Sequence, residues 1–113
     1  MSRRLLASTR ALALAAGACF ASAALAGAAF APDDIDHGRE QFHRTCAQCH
    51  GRNMVNSGTT VYDLRRFPVD DDARFFNSVA NGKGNMPSFK EALTPEQIKL
   101  LWAYVGSRGG KEP

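Results

Sequence analysis

Apolar positions along this chain fall mostly at helical spacing. The clearest case closes the sequence, where Ile98, Leu101, Trp102 and Val105 stand at i, i+3, i+4 and i+7. Thr94 occupies an N-cap position, Pro95 suits a first helical turn, and Gln97 completes a capping box. Gly106 and then Gly109-Gly110 supply the stop. A second helix is predicted to begin near Asp70 to Asp72 and run through Val79. Ala73, Phe76 and Ala80 share one of its faces, and Gly82 serves as its C-cap. An earlier helix is predicted from about Asp34 to Thr45. The acids Asp33, Asp34 and Asp36 suit its positive end, and Gly38 and Phe42 follow at helical spacing. Thr59 to Tyr62 is a weak strand signal, and no internal repeat is visible. The expected class is all-α, with about three main helices and two long loops, Gly51 to Pro68 and Asn81 to Leu93. Loops this long in so small a domain need something to wrap.

The segment ahead of these helices reads differently. Ala11 to Ala31 carries no charge and follows Arg3, Arg4 and Arg10. Ala24-Leu25-Ala26 offers small residues for a leader peptidase, so residues 1–26 are expected to be a secretory signal peptide cleaved before Gly27. The remainder then divides into a short tail (27–34), a domain (35–108) and a C-terminal tail (109–113). The apolar run is long enough to span a bilayer, but it is rich in Ala and Gly and makes a weak anchor. The mature protein is therefore expected to be unanchored, periplasmic and monomeric. Ser2-Arg3-Arg4-Leu5-Leu6 only faintly resembles a twin-arginine signal. Cys19 is a poor lipoprotein cysteine, because Ala16 precedes it by three and the apolar run continues past it.

Removing that leader changes the charge. Fourteen Lys and Arg against eleven Asp and Glu give +3, but three of the arginines and none of the acids lie in the leader. The mature chain is neutral, and no nucleic-acid partner is expected. A core of about 80 residues is small, and domains of this size often lean on a metal, disulfide or cofactor.

The chemistry concentrates in Cys46-Ala47-Gln48-Cys49-His50. A dithiol oxidoreductase would set such cysteines at a helix start after a strand, and that setting is missing. A zinc site would need His43, His37 or a carboxylate to complete its ligands, and no second cysteine pair exists. The remaining option uses every residue. In C-x-x-C-H both thiols add to haem vinyl groups, and the adjacent imidazole becomes an axial iron ligand. Cys46 and Cys49 are thus the expected thioether residues, His50 the proximal ligand, and one covalent haem c the cofactor. At this point the sequence resembles the class I cytochromes c.

Candidates for the sixth ligand are Met54, Met86, His37 and His43, or an open position. Met54 lies four residues after His50 and suits an apolar contact better. His43, on the incoming helix, reads as solvent-facing, and His37 is similar. Met86 sits in Asn81-Gly82-Lys83-Gly84-Asn85-Met86-Pro87-Ser88-Phe89. The glycines permit close backbone approach, and Pro87 biases Met86 toward an extended conformation. This setting matches the distal Met segment of the class I cytochromes c, which implies His50/Met86 ligation.

The resemblance covers residues 35 to 108. It implies that Gly38 and Phe42 meet Leu101 or Tyr104 where the first and last helices cross. Trp102 and Tyr104 then read chiefly as core residues. One feature departs from the family. A proline usually follows the haem motif by a dozen or so residues and offers its carbonyl to the proximal histidine. Here none occurs between Gly51 and Phe67, so another loop carbonyl, near Ser57-Gly58, is expected instead. Arg65 and Arg66 are candidates to pair with haem propionates, or else are solvated loop charges.

Asn53 to Gly58, Tyr62 to Pro68, Arg74 to Val79 and the Asn81-Gly82-Lys83 run look like a narrower group. These are the small periplasmic cytochromes c that accept electrons from PQQ-dependent (quinoprotein) alcohol dehydrogenases. The implied function is one-electron transfer without substrate chemistry, from such a dehydrogenase toward a cytochrome oxidase. The alternative is a haem enzyme or gas sensor with a labile sixth iron position.

Overall fold

A computed structural model of the chain describes residues 11–18, 30–56 and 60–113. Its helices are α1 (Pro32–Thr45), α2 (Ala47–His50), α3 (Asp72–Asn81) and α4 (Pro95–Gly106). Short 3-10 turns lie at Arg52–Met54 and Leu64–Arg66. Among the described residues there is no strand, only an isolated bridge between Lys83 and Met86. The protein is all-α, as its periodicity predicts. Val61 and Tyr62 form no strand, and Thr59 lies outside the described residues.

α1 begins two residues before its expected start. Pro32 takes the first helical position, where a missing N–H goes unnoticed, and Asp33 and Asp34 fill the first turn. α4 carries the predicted box in full: Gln97 N donates to Thr94 Oγ1 (3.2 Å), and Thr94 N donates to Gln97 Oε1 (2.9 Å). α3 is capped by Asp71, whose carboxylate accepts from Arg74 N, and it stops at Gly82.

The core forms where α1 crosses α4. Gly38 makes the crossing close, since a β-carbon on it would lie 1.9 Å from Leu100 O and 3.0 Å from Tyr104 Cβ. Phe42 packs on Tyr104 with ring centroids 5.1 Å apart, as the resemblance implies. Leu101, Trp102 and Tyr104 are buried, which bears out their core role.

On α3 the face carrying Phe76 and Ala80 is not the most deeply buried one. Phe75 and Val79 turn inward, Phe76 and Ala80 are half-buried, and Ala73 is exposed. The reason is an aromatic cluster. Phe75 lies 5.1 Å from Trp102 and 5.7 Å from Phe67, and Phe67 lies 5.9 Å from Trp102. Phe75 buries more area there than Ala73 has to offer.

Most of the expected leader lies outside the described residues. Within it, residues 11–18 are exposed and have no regular secondary structure. Among the described residues no helix is long and apolar enough to cross a membrane.

Candidate functional site

The Cys46–His50 motif leaves the end of α1 as one tight turn. Cys46 N donates to Phe42 O (2.8 Å) and so completes α1. The Cys46 carbonyl then accepts from both Cys49 N (3.2 Å) and His50 N (2.9 Å). Both thiols and the imidazole therefore issue from a single helical turn. Gly51 ends it at φ 82, where a β-carbon would lie 1.9 Å from Val55 O. Only glycine lets the chain double back so closely after the histidine.

Neither cysteine is in a disulfide. Burial, with a smaller effect from Cys49, pushes the Cys46 thiol up to about 12. A redox-active dithiol needs the opposite shift, toward a thiolate at neutral pH. Among the described residues no three His, Cys, Asp or Glu side chains cluster as a metal site. The surroundings of Cys46 thus do not favour a thiolate, and no ligand cluster for zinc forms among the described residues.

His50 is half-buried, and burial lowers its pKa, which favours the neutral ring. Its Nδ1 stands 3.2 Å from Tyr62 O. A carbonyl can only accept, so Nδ1 carries the proton and Nε2 carries the lone pair. This is the tautomer that a metal ligand needs. The expected loop carbonyl exists but belongs to Tyr62, whereas Ser57 and Gly58 lie outside the described residues.

The two nearby alternatives are occupied elsewhere. Met54 is only 3% exposed, within the core, and is an apolar contact as expected. His43 departs from expectation, being half-buried rather than solvent-facing. Its Nε2 accepts from Asn53 N at 3.3 Å, and its ring lies 6.1 Å from both Phe42 and Tyr104. It pins the Arg52–Met54 turn, in which Asn53 and Met54 both have positive φ. His37 is exposed on α1.

Met86 sits in a hairpin-like turn that is stapled to α3. Lys83 N donates to Met86 O (3.1 Å), and Met86 N donates to Lys83 O (3.0 Å). Phe89 N and Lys90 N donate to Val79 O and Ala80 O, at 2.9 and 3.2 Å, and Ser88 Oγ also donates to Ala80 O. Gly82, at φ 77, is the close approach, since a β-carbon there would lie 2.6 Å from Met86 O. The Met86 side chain is half-buried against the core.

Arg65 pairs with Asp63 through two contacts, at 2.9 and 2.8 Å, and draws the Asp63 carboxyl down to about 2. Arg66 is exposed. Cys46, Ala47, Leu64, Phe76, Ala80 and Met86 are half-buried apolar side chains resting on the core. Two thiols and an imidazole on one turn, with a thioether on the 83–86 turn, make up the donor set that a covalently tethered haem needs. No side chain in the sequence marks the Tyr62 carbonyl or the His43 contact with Asn53. Only the missing proline hinted at the first.

Residues 33–105 match the family model described as "Cytochrome C oxidase, cbb3-type, subunit III". A cytochrome c6 from Gloeothece citriformis is 37% identical over 82 residues, covering 69% of this chain and 74% of that protein. A cytochrome c6 from Limnospira maxima is also 37% identical, over 86 residues and 97% of its length. The quinohemoprotein alcohol dehydrogenase ADH-IIG of Pseudomonas putida is 34% identical over 76 residues, which span 66% of this chain but 10% of the enzyme.

Proposed function

This chain belongs to the cytochrome c family, and we propose that it is a periplasmic one-electron carrier with His50 and Met86 as its axial iron ligands. As a family member it carries covalent haem c and is a haem-based electron carrier. In this proposal Cys46 and Cys49 hold the haem as thioethers. When bound, the group supplies a ferric/ferrous couple whose reduced state is favoured by a thioether ligand.

The remaining work falls to the polypeptide. Tyr62 O accepts the Nδ1 proton of His50 and so leaves Nε2 as the free ring nitrogen. The staple between α3 and the 83–86 turn holds the Met86 backbone against movement. Phe76, Ala80, Leu64 and Ala47, half-buried against the core, would offer apolar surface to the group. If His50 and Met86 both hold the iron, no position would be left there for a substrate, and electron transfer would be the chemistry the group supplies. The single observation that supports this most is the shared turn, in which one carbonyl gathers the Cys49 and His50 amides beside a tautomer-locked imidazole.

The proposed donor is a PQQ-dependent alcohol dehydrogenase, and the proposed acceptor is a cytochrome oxidase. Similarity to one stretch of a quinohemoprotein alcohol dehydrogenase supports the donor, because a module of this kind occurs within such an enzyme. Residues 1–26 are proposed to be the cleaved export signal. Peptide mass mapping of protein from the periplasm of a haem-loading host tests the attachment and the leader together. A haem adduct on the peptide holding Cys46 and Cys49, with Gly27 at the N-terminus, is expected. Two alkylatable thiols would overturn the assignment.

A further inference from the structure

We propose that Arg108 is a positioning residue for His50, acting across the molecule through the Leu64–Arg66 turn and the Tyr62 carbonyl. The inference rests on the reading of His50 as an iron ligand.

The first observation is backbone strain. Arg108 has φ 54, and it is followed by Gly109 at φ 73 and Gly110 at φ 90. The chain uses glycine at the next two positions of this turn but an arginine at the first, where a side chain is disfavoured. The side chain must therefore return something that glycine cannot. Its Nη1 donates to Arg65 O and reaches Leu64 O at 3.5 Å. A charged donor thus holds the Arg65 carbonyl, and lies beside that of Leu64, in a turn more than forty residues away in sequence.

The second observation is where that turn leads. Leu64–Arg66 starts two residues after Tyr62, and Asp63 caps it by accepting from Arg65 N (3.0 Å). Tyr62 Oη reaches back to Arg66 O at 3.3 Å. Asn56 Nδ2 donates to Val61 O (2.7 Å) and so holds the preceding peptide. Asn56 thus anchors the Tyr62 peptide from one side, while the turn gripped by Arg108 anchors it from the other. No proline stiffens the loop between Gly51 and Phe67, so the rigidity of this carbonyl depends on such partners.

The third observation is what the carbonyl does. It accepts the Nδ1 proton of His50. A well-placed acceptor makes an imidazole ligand more basic and favours the oxidised metal, whereas a poorly placed one does the reverse. Arg108 thereby couples the end of α4 to the electronic character of His50.

The test uses haem-loaded protein with 15N-labelled histidine. Arg108→Gly removes the guanidinium and relieves the strained φ, so the turn itself is preserved. Arg108→Asn, which also tolerates that φ, provides a second variant should glycine loosen the turn. Both should raise the reduction potential and speed exchange of the His50 Nδ1 proton by roughly three- to tenfold, the worth of one weakened hydrogen bond. Arg108→Lys should restore part of both effects. Wild-type potential and exchange in Arg108→Gly and Arg108→Asn, whatever their stability, would overturn the proposal while leaving the ligand assignment intact. A wild-type oxidised protein whose His50 lacks the paramagnetic shift of an iron ligand would instead overturn that assignment and the proposal with it.

Discussion

Gly38 lies so close to α4 that a β-carbon on it would sit 1.9 Å from the carbonyl oxygen of Leu100. The obstacle is backbone, so no rotamer change relieves it. Gly38→Ala must push α1 and α4 apart and loosen Phe42 from Tyr104. The expected loss is about 3 kcal/mol, at the upper end of overpacking costs. For a domain of this size that lowers the midpoint of thermal unfolding by on the order of 15 °C. Calorimetry of the haem-loaded variant checks it, and an unchanged midpoint would mean the helices cross elsewhere.

His43 gives the protein an acid-sensitive joint. Burial lowers its pKa below 6.5, with Arg52 and Arg39 acting in the same direction and the Asn53 contact opposing. The unfolded chain therefore binds a proton that the fold rejects. Stability from this group is complete above about pH 6.5 and is lost as pH falls through the lowered value. His43→Gln still accepts from Asn53 N but does not titrate. Denaturant midpoints measured between about pH 5 and 7 should rise with pH in the wild type and rise less in the variant. Parallel curves would remove His43 from the account.

How much of this was legible in the sequence depends on where each signal resides. α4 was readable because Thr94, Pro95 and Gln97 act within one turn and the apolar stripe spans one face. The Cys46–His50 turn was readable because its spacing has a local stereochemical cause. The inward face of α3 was not. Periodicity allows both Phe75/Val79 and Phe76/Ala80, and only the distant Trp102 decides between them. The Tyr62 carbonyl was hidden for a different reason, since every residue has one and no side chain marks the one that is used. Nothing in the sequence marks Arg108, because its partners are carbonyls of a remote turn.

Gly82 holds the Met86 turn against α3 at φ 77, with room for no side chain beside Met86 O. Gly82→Ala combines an unfavourable φ with a clash and should cost about 2 kcal/mol. The loss should appear as a weakened sixth ligand before it appears as unfolding. Cyanide binding to the oxidised protein should therefore become several-fold faster. A binding rate equal to wild type would show that the turn does not control Met86.

Docking should be little affected by salt. Without residues 1–26 the chain carries equal numbers of basic and acidic side chains, and Val55, Tyr62 and Val69 are exposed apolar residues of its loops. Electron transfer from a quinoprotein alcohol dehydrogenase, followed by stopped flow, should change less than about threefold over an ionic-strength range in which steered encounters slow steeply. A steep decline would point to a charged docking face.

The most direct test of the central claim is the absorption spectrum of oxidised, haem-loaded protein, wild type beside Met86→Ala. The account predicts a low-spin wild type with the Met-to-iron charge-transfer band. Met86→Ala should lose the band, bind cyanide and show a lower reduction potential. A high-spin wild type that binds cyanide at once, or a variant that keeps the band, would contradict it.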